Sequence, residues 1–182
     1  LDLIKRHDKS GPRYTSYPTA VQFKPDFTSQ QYEKARINSH KQDEGLSLYV
    51  HIPFCAHVCY YCACNKVITK RREKSKPYLE ALFREIELRA QGYDDQRCVD
   101  QLHFGGGTPT FLSHEEMSSL MDKLAKHFHL SDSEDRDFSI EIDPRELQAD
   151  TLSHLKRIGF NRVSLGVQDV DPAVQKAVNR IQ

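Results

Sequence analysis

Four short segments that alternate between apolar and polar residues, each followed by a run with helical spacing, constrain the fold of this chain more than any other feature. The predicted strands are Leu46–Ile52, 99–104, 138–143 and 162–168. Between them lie Tyr78, Leu79, Leu82, Phe83 and Ile86 behind Pro77, then Met117, Leu120, Met121, Leu124 and Phe128 behind the capping box Ser113 to Glu116. A third stripe, Leu152, Leu155 and Ile158, stops at Gly159, and a fourth helix opens with Asp171 as N-cap and Pro172 as first helical residue. Such stripes are core positions. Strands alternating with helices predict βαβ units and a parallel sheet.

Parallel strands covered on both faces are usually apolar throughout, so alternation says that one face is polar. The four strands agree in phase. Leu46, Leu48, Val50 and Ile52 oppose Ser47, Tyr49 and His51; Leu102 and Phe104 oppose Gln101 and His103; Phe138, Ile140 and Ile142 oppose Ser139, Glu141 and Asp143; Val163, Leu165 and Val167 oppose Ser164, Gly166 and Gln168. In a barrel the apolar side meets the helices and the polar side lines the lumen, with the active site at the C-terminal strand ends. Tyr49, His51, His103, Glu141 and Gln168 are predicted at that rim. The expected architecture is α/β, an incomplete parallel (β/α) barrel, TIM-like but truncated after about four strand-helix units, over 46–182. Residues 1–45, with Pro12, Pro18, Pro25 and one helix over 29–37, are expected to form an N-terminal arm.

From the same rim springs a loop with three cysteines, Cys55, Cys59 and Cys62. A structural zinc site is closed by four ligands arriving as two pairs, and ferredoxin clusters take four cysteines. Three thiolates in one loop grip a metal centre and leave a coordination position open, where chemistry happens; a non-catalytic zinc module is the alternative. Gly105, Gly106 and Gly107 directly follow the second predicted strand and permit close backbone approach to a small ligand, or form only a tight turn. Lys plus Arg and Asp plus Glu both total 26, so no summed field calls for nucleic acid or an anionic membrane. Five cysteines, no leader-like start and no apolar run near 18 residues predict a cytoplasmic protein. The first residue is Leu and the last three, Arg180, Ile181 and Gln182, fall within a helical pattern, which is expected of part of a longer protein.

At its spacing the cysteine triplet resembles the cluster loop of radical S-adenosylmethionine (SAM) enzymes. The flanks narrow the resemblance: Tyr49-Val50-His51-Ile52-Pro53-Phe54-Cys55, Cys64-Asn65-Lys66, Gly105-Gly106-Gly107-Thr108-Pro109-Thr110, Gly166-Val167-Gln168-Asp169 and the segment from Ser10-Gly11-Pro12-Arg13-Tyr14 to Ala20. Along essentially its whole length the chain resembles the oxygen-independent coproporphyrinogen III oxidases (coproporphyrinogen dehydrogenases) of haem synthesis. Haem chaperones derived from that enzyme share the triplet but lack the N-terminal segment and Cys64, and are the runner-up.

The resemblance implies a radical SAM barrel with a 4Fe-4S cluster on Cys55, Cys59 and Cys62 and SAM on the fourth iron. The reduced cluster splits SAM, and the resulting 5'-deoxyadenosyl radical takes hydrogen from a propionate of coproporphyrinogen III. Loss of carbon dioxide and one electron leaves a vinyl group, and two such turns give protoporphyrinogen IX. It implies SAM contacts from Tyr49, Tyr61, Gly106, Gly107, Thr108, Glu141, Gln168 and Arg180. Glu141 is suited to the SAM ammonium, Gln168 to ribose hydroxyls and Arg180 to a carboxylate. Cys64 is placed near a second SAM, and His51, by its own position beside the cluster loop, is expected to hydrogen-bond to the cluster or tune it; Cys64 and His51 are the candidate catalytic residues. Tyr61 and Ala63 stand where relatives often carry Phe and Gly. Arg13 and the basic run Lys70 to Lys76 are candidates for substrate carboxylates, the latter otherwise a solvated helix entrance. Cys98 is read as a small buried hydrophobe, and His7, His40, His114, His127, His129 and His154 as surface residues. An outside electron donor and acceptor, a monomeric full-length protein and an inactive 182-residue chain complete the expectation.

Overall fold

The computed structural model describes residues 2–8, 19–39, 45–93 and 97–182, which fall in two compact units, Leu1–Lys41 and Gln42–Gln182. The first contains α1 (Asp2–His7), which the sequence reading did not anticipate, and α2 (Ser29–Ser39), two residues longer than expected. α2 starts behind a reciprocal cap: the Thr28 amide donates to Gln31 Oε1 at 2.6 Å and the Gln31 amide to Thr28 Oγ1 at 3.2 Å, satisfying two amides that a helix start leaves open. Most of the motif from Ser10, including Arg13, and also His40 lie outside the described residues.

In the second unit β1 (Leu46–Ile52) is followed by a two-residue pair, β2 (Phe54–Cys55) and β3 (Val67–Ile68), that brackets the cysteine loop. Then come α3 (Ser75–Ala90), β4 (Cys98–Gly106), α4 (His114–His127), the short β5 (His129–Leu130), β6 (Asp137–Ile142), α5 (Thr151–Arg157), β7 (Arg162–Leu165) and α6 (Pro172–Ala177). The sheet is parallel, in the order β1-β4-β6-β7, with β5 beside the start of β4. Its register sets Tyr49 beside His103, His103 beside Ser139, and Glu141 beside Ser164, so one face is polar across all four strands. The other face carries Val50, Ile52, Leu102, Phe104, Phe138, Ile140 and Ile142, all buried against Leu79 and Ile86 of α3, Met117, Leu120 and Leu124 of α4 and Leu155 of α5. Each such burial stabilises by about 1.5–3 kcal/mol. The architecture is a partial parallel (β/α) barrel, as the alternation predicts.

Several expectations need correction. β4 runs on through Gly105 and Gly106, so two of the three glycines end the strand instead of following it. β7 stops at Leu165 rather than at residue 168, and its four residues are exposed; it is the last strand in the sheet order, and α6, with no buried residue, does not cover it. On α5 Leu155 is buried but Leu152 is exposed. Cys98 is only partly buried, in the first position of β4. His154 is buried rather than at the surface, its ring stacked on His114 with centroids 4.3 Å apart. Arg180 lies beyond its helix, which ends at Ala177. There the Arg180 amide donates to the Gln175 carbonyl at 2.8 Å and the Asn179 amide to Lys176 at 3.2 Å, with Asn179 at φ 56°. This is a Schellman turn with Asn in the left-handed position. Among the described residues no helix is long and apolar enough to cross a membrane.

Candidate active site

The cysteine loop has little regular structure, so its position is set by what ties it down. Ahead of it, the Gly107 amide donates to the Ile52 carbonyl and the Thr108 amide to the Phe54 carbonyl, both at 2.8 Å, joining the end of β4 to the end of β1. The Val67 and Thr69 amides donate to the Pro53 and Cys55 carbonyls at 2.7 and 2.8 Å. At the far side the Tyr60 amide donates to the Val178 carbonyl at 3.1 Å, and Asn179 Nδ2 to the Val58 carbonyl at 2.7 Å. Within the loop the Cys62 amide closes a turn on the Cys59 carbonyl at 3.1 Å.

These ties place Cys55, Cys59 and Cys62 on one pocket together with Tyr61, Lys66, Gly107, Thr108, Asp143, Arg145 and Arg180. The three cysteines are free thiols. Thr108 Oγ1 donates to Cys55 Sγ at 3.6 Å. Arg145 Nη2 and Arg180 Nη1 each donate to Cys59 Sγ at 3.7 Å. Lys66 Nζ donates to the Cys62 carbonyl at 2.7 Å. Burial pushes the Cys55 thiol up, with the neighbouring Cys62 and Cys59 thiolates adding to it and the Thr108 bond opposing. For Cys62 burial also raises, but hydrogen bonds from Cys64 and the Lys66 charge outweigh it and leave the thiol lowered.

Asp143, expected on the lumen face, is buried beyond the end of β6 and joins two guanidiniums. Arg145 Nη2 donates to its Oδ2 at 2.6 Å and Arg145 Nε to its Oδ1 at 3.0 Å, while Arg180 Nη1 stands 3.5 Å from Oδ2. Burial alone would raise the Asp143 carboxyl, but the Arg145 hydrogen bonds and the Arg180 charge hold it below its ordinary value. Arg180 Nη2 donates to the Gly166 carbonyl at 3.0 Å. Its buried Nε has no hydrogen-bond partner among the described residues.

Beside this pocket runs a polar chain along the strand ends. Tyr49 OH and His51 Nδ1 are 2.9 Å apart, and His51 Nε2 lies 2.9 Å from the Asn65 carbonyl. A carbonyl only accepts, so Nε2 carries the proton and, in the neutral ring, Nδ1 accepts from Tyr49. Tyr49 stacks on His103 with centroids 5.9 Å apart. His103 Nδ1 is 2.7 Å from Ser139 Oγ, and its Nε2 is 3.6 Å from Glu141 Oε1. Glu141 Oε2 accepts from the Gly106 amide at 3.2 Å. The glycines also have reasons within the protein: Gly106 has φ +113°, and a Cβ there would lie 2.6 Å from the His51 ring; on Gly107 it would lie 2.7 Å from the Phe54 carbonyl.

Of the predicted site residues, the structure therefore gathers the triplet, Tyr61, Gly107, Thr108 and Arg180 in one pocket. Tyr49, His51, Gly106 and Glu141 form the adjoining hydrogen-bonded rim. Cys64 is exposed beside Cys62, and burial together with its bond to Cys62 raises its thiol. Gln168 is exposed past the end of β7. Sequence reasoning missed Asp143, Arg145 and Lys66 as pocket residues; a charged Asp143-Pro144-Arg145 run at a strand's C-terminal end was the available signal. In the basic run, Arg71 pairs with Glu73 at 2.6 Å, and Arg72 donates to the Phe111 carbonyl and covers the Phe111 ring at 4.4 Å.

Three thiols facing Lys66, Arg145 and Arg180 form a donor set that fits an anionic iron–sulfur cluster bound by three cysteines. Among the described residues no three His, Cys, Asp or Glu side chains converge on a single metal ion. The site and the parallel sheet define a radical SAM protein, and the radical SAM superfamily matches residues 49–182. The chain is 58% identical over 181 residues to the oxygen-independent coproporphyrinogen III oxidase of Pseudomonas aeruginosa and 49% identical over 182 residues to that of Escherichia coli K12, covering 100% of this chain and 39% of each relative. It is 47% identical over 144 residues to the one of Mannheimia haemolytica, covering 79% of this chain and 95% of that one. The solved structure of coproporphyrinogen III oxidase (HemN) from Escherichia coli, described as a radical SAM enzyme, superposes with a TM-score of 0.85 at 47% identity, covering 100% of this chain and 39% of that one. The chain belongs to the oxygen-independent coproporphyrinogen III oxidase family, whose cofactors are a 4Fe-4S cluster and SAM. It spans 39% of the length of the Pseudomonas and Escherichia relatives.

Proposed function

We propose that this chain supplies the cluster- and SAM-binding part of an enzyme that oxidatively decarboxylates two propionates of coproporphyrinogen III to vinyl groups, giving protoporphyrinogen IX. The observation that carries the reading is the convergence of Cys55, Cys59 and Cys62 with Thr108 and Arg180 on one pocket at the strand ends. When bound, the cluster and SAM together supply a low-potential electron and a group that abstracts hydrogen. The protein's share is binding, orientation and exclusion of water.

Cys55, Cys59 and Cys62 would hold the cluster through their thiolates. Glu141 spends one oxygen on the Gly106 amide, which orients the acceptor-only carboxylate for the SAM ammonium. The free Nε–H of Arg180 is a donor left over for a carboxylate. Gly106, Gly107 and Thr108 offer backbone at the β4 end; Tyr49 and Tyr61 offer aromatic walls, and Gln168 a side chain for ribose hydroxyls. His51, locked between Tyr49 and Asn65, holds the exit of the loop. Cys64, outside the pocket lining, serves substrate or a second SAM instead of iron. The engagement of Arg71 and Arg72 favours the helix-entrance reading of the basic run over a propionate contact. The electron donor and acceptor come from outside the chain.

The test is anaerobic purification of the full-length protein, which should carry about four irons per chain and bleach in air. Cys55→Ala, Cys59→Ala and Cys62→Ala should each abolish iron binding, and vinyl formation from coproporphyrinogen with SAM and a strong reductant should go with it. Full iron in all three variants would overturn the reading.

A further inference from the structure

Among the described residues, Cys59 is the one of the three cysteines that receives two guanidinium donors. Arg145 Nη2 and Arg180 Nη1 reach its sulfur at equal distances of 3.7 Å, one from beyond the end of β6 and the other from beyond the end of α6. Cys55 receives a single hydroxyl, from Thr108. The arrangement is built rather than incidental. Arg145 is bound through Nε and Nη2 to the Asp143 carboxylate, and that carboxylate is 7% exposed, with Arg145 and Arg180 side chains only 19% and 12% exposed. Pro144, between the two, leaves Asp143 to cap the following turn through the Arg145 amide at 3.1 Å, so the guanidinium fork is fixed by the end of β6.

We propose that Arg145 is a positioning residue that sets the reduction potential of the cluster through the Cys59 sulfur, with Asp143 holding Arg145 and Arg180 together on that ligand. Adding an electron increases the negative charge on cluster and thiolates. Cationic hydrogen-bond donors on a ligand sulfur stabilise that state and raise the potential. Arg145, Arg180 and Asp143 together carry a charge of +1 − 1 + 1, one net positive. Replacing Arg145 with a neutral residue makes this zero; replacing Asp143 with Asn makes it two. The two variants therefore move the potential in opposite directions. A purely structural role for Arg145 predicts changes in iron content or stability and no such opposition.

The inference rests on the triplet holding a 4Fe-4S cluster, and iron analysis of the unsubstituted protein tests that separately. The experiment is an EPR-monitored redox titration of the full-length, cluster-loaded protein without SAM. At the unsubstituted midpoint Arg145→Gln should show a reduced-to-oxidised ratio at least tenfold lower, a downward shift of about 59 mV or more for one electron. Arg145→Lys should recover part of the shift, and Asp143→Asn should shift upward. An Arg145→Gln midpoint equal to that of the unsubstituted protein overturns the proposal. If Arg145→Gln does not load iron, Asp143→Asn decides: an upward shift supports the proposal, and no shift or a downward one overturns it.

Discussion

Gly107→Ala sets two effects of opposite sign against each other. The Gly107 backbone is not in the left-handed region, so alanine is conformationally allowed and, acting through the unfolded chain, would stabilise by about 0.4–1 kcal/mol. Against this, its Cβ would sit 2.7 Å from the Phe54 carbonyl oxygen and 2.8 Å from the Pro53 carbonyl group. Both obstacles are backbone, so neither can swing away. The β4 end must retreat by several tenths of an ångström, which stretches the 2.8 Å bonds from the Gly107 and Thr108 amides to Ile52 and Phe54. Weakening two hydrogen bonds worth about 0.5–1.5 kcal/mol each, with overpacking of about 1–3 kcal/mol, outweighs the entropic gain and leaves a net loss of about 2 kcal/mol or more. With a urea slope of about 1–3 kcal/mol per molar, the midpoint should fall by about 1 M. Urea denaturation of the iron-free protein by circular dichroism measures this without involving the cofactors. A midpoint equal to or above that of the unsubstituted protein would refute the reasoning that the glycine is required by the approach of β4 to the loop.

Two further outcomes separate roles within the site. Cys64→Ala in the full-length enzyme should retain the iron and lose protoporphyrinogen formation; iron loss matching a triplet variant would make Cys64 a ligand instead. Asn179→Ala removes both a residue tolerant of φ 56° and the 2.7 Å tie to Val58, together about 2 kcal/mol. Because Arg180 follows directly, SAM affinity measured by equilibrium dialysis on cluster-loaded protein should drop, and Asn179→Gly should recover part of it. Equal affinity in all three proteins would detach Arg180 from this turn.

What the sequence makes legible is periodicity and spacing. Period-two alternation assigns Val50, Phe104 and Ile140 to one face and Tyr49, His103 and Glu141 to the other, because a strand has only two sides. Three cysteines in eight residues declare a metal loop from local spacing alone. Arg145 is not legible in this way: its contact with Cys59 spans 86 residues and exists only once β6 lies in register beside β4. The burial of Asp143 is equally a product of that register, since two arginines must be present before a carboxylate can be buried at a strand end. The end of α6 was within reach, because Asn179 is a residue type that closes helices in the left-handed conformation; the apparent continuation through Arg180 concealed it. Leu152 and Val163 show the opposite limit: an apolar stripe states which side faces a neighbour, not whether a neighbour is there.

The loop's two anchorages differ in strength, and that difference yields a last prediction. On the Cys55 side the ties come from the end of β4 and from β2 and β3, next to Ile52, Phe54 and Phe104, which are all buried. On the Cys59 side they come from Val178 and Asn179, which follow a six-residue helix with no buried residue and an edge strand with four exposed ones. Segments with little buried apolar surface open at lower free energy than the core. Hydrogen exchange of the iron-free protein should therefore show the Gly107 and Thr108 amides well protected and the Tyr60 and Arg180 amides exchanging much faster. Adding the cluster should slow Tyr60 and Arg180 selectively, since Cys59, whose sulfur accepts from both arginines, would then be held in place. Equal protection on both sides before loading would mean that the α6 turn draws stability from something other than its own packing, and the division of the loop into a fixed and a yielding half would fall.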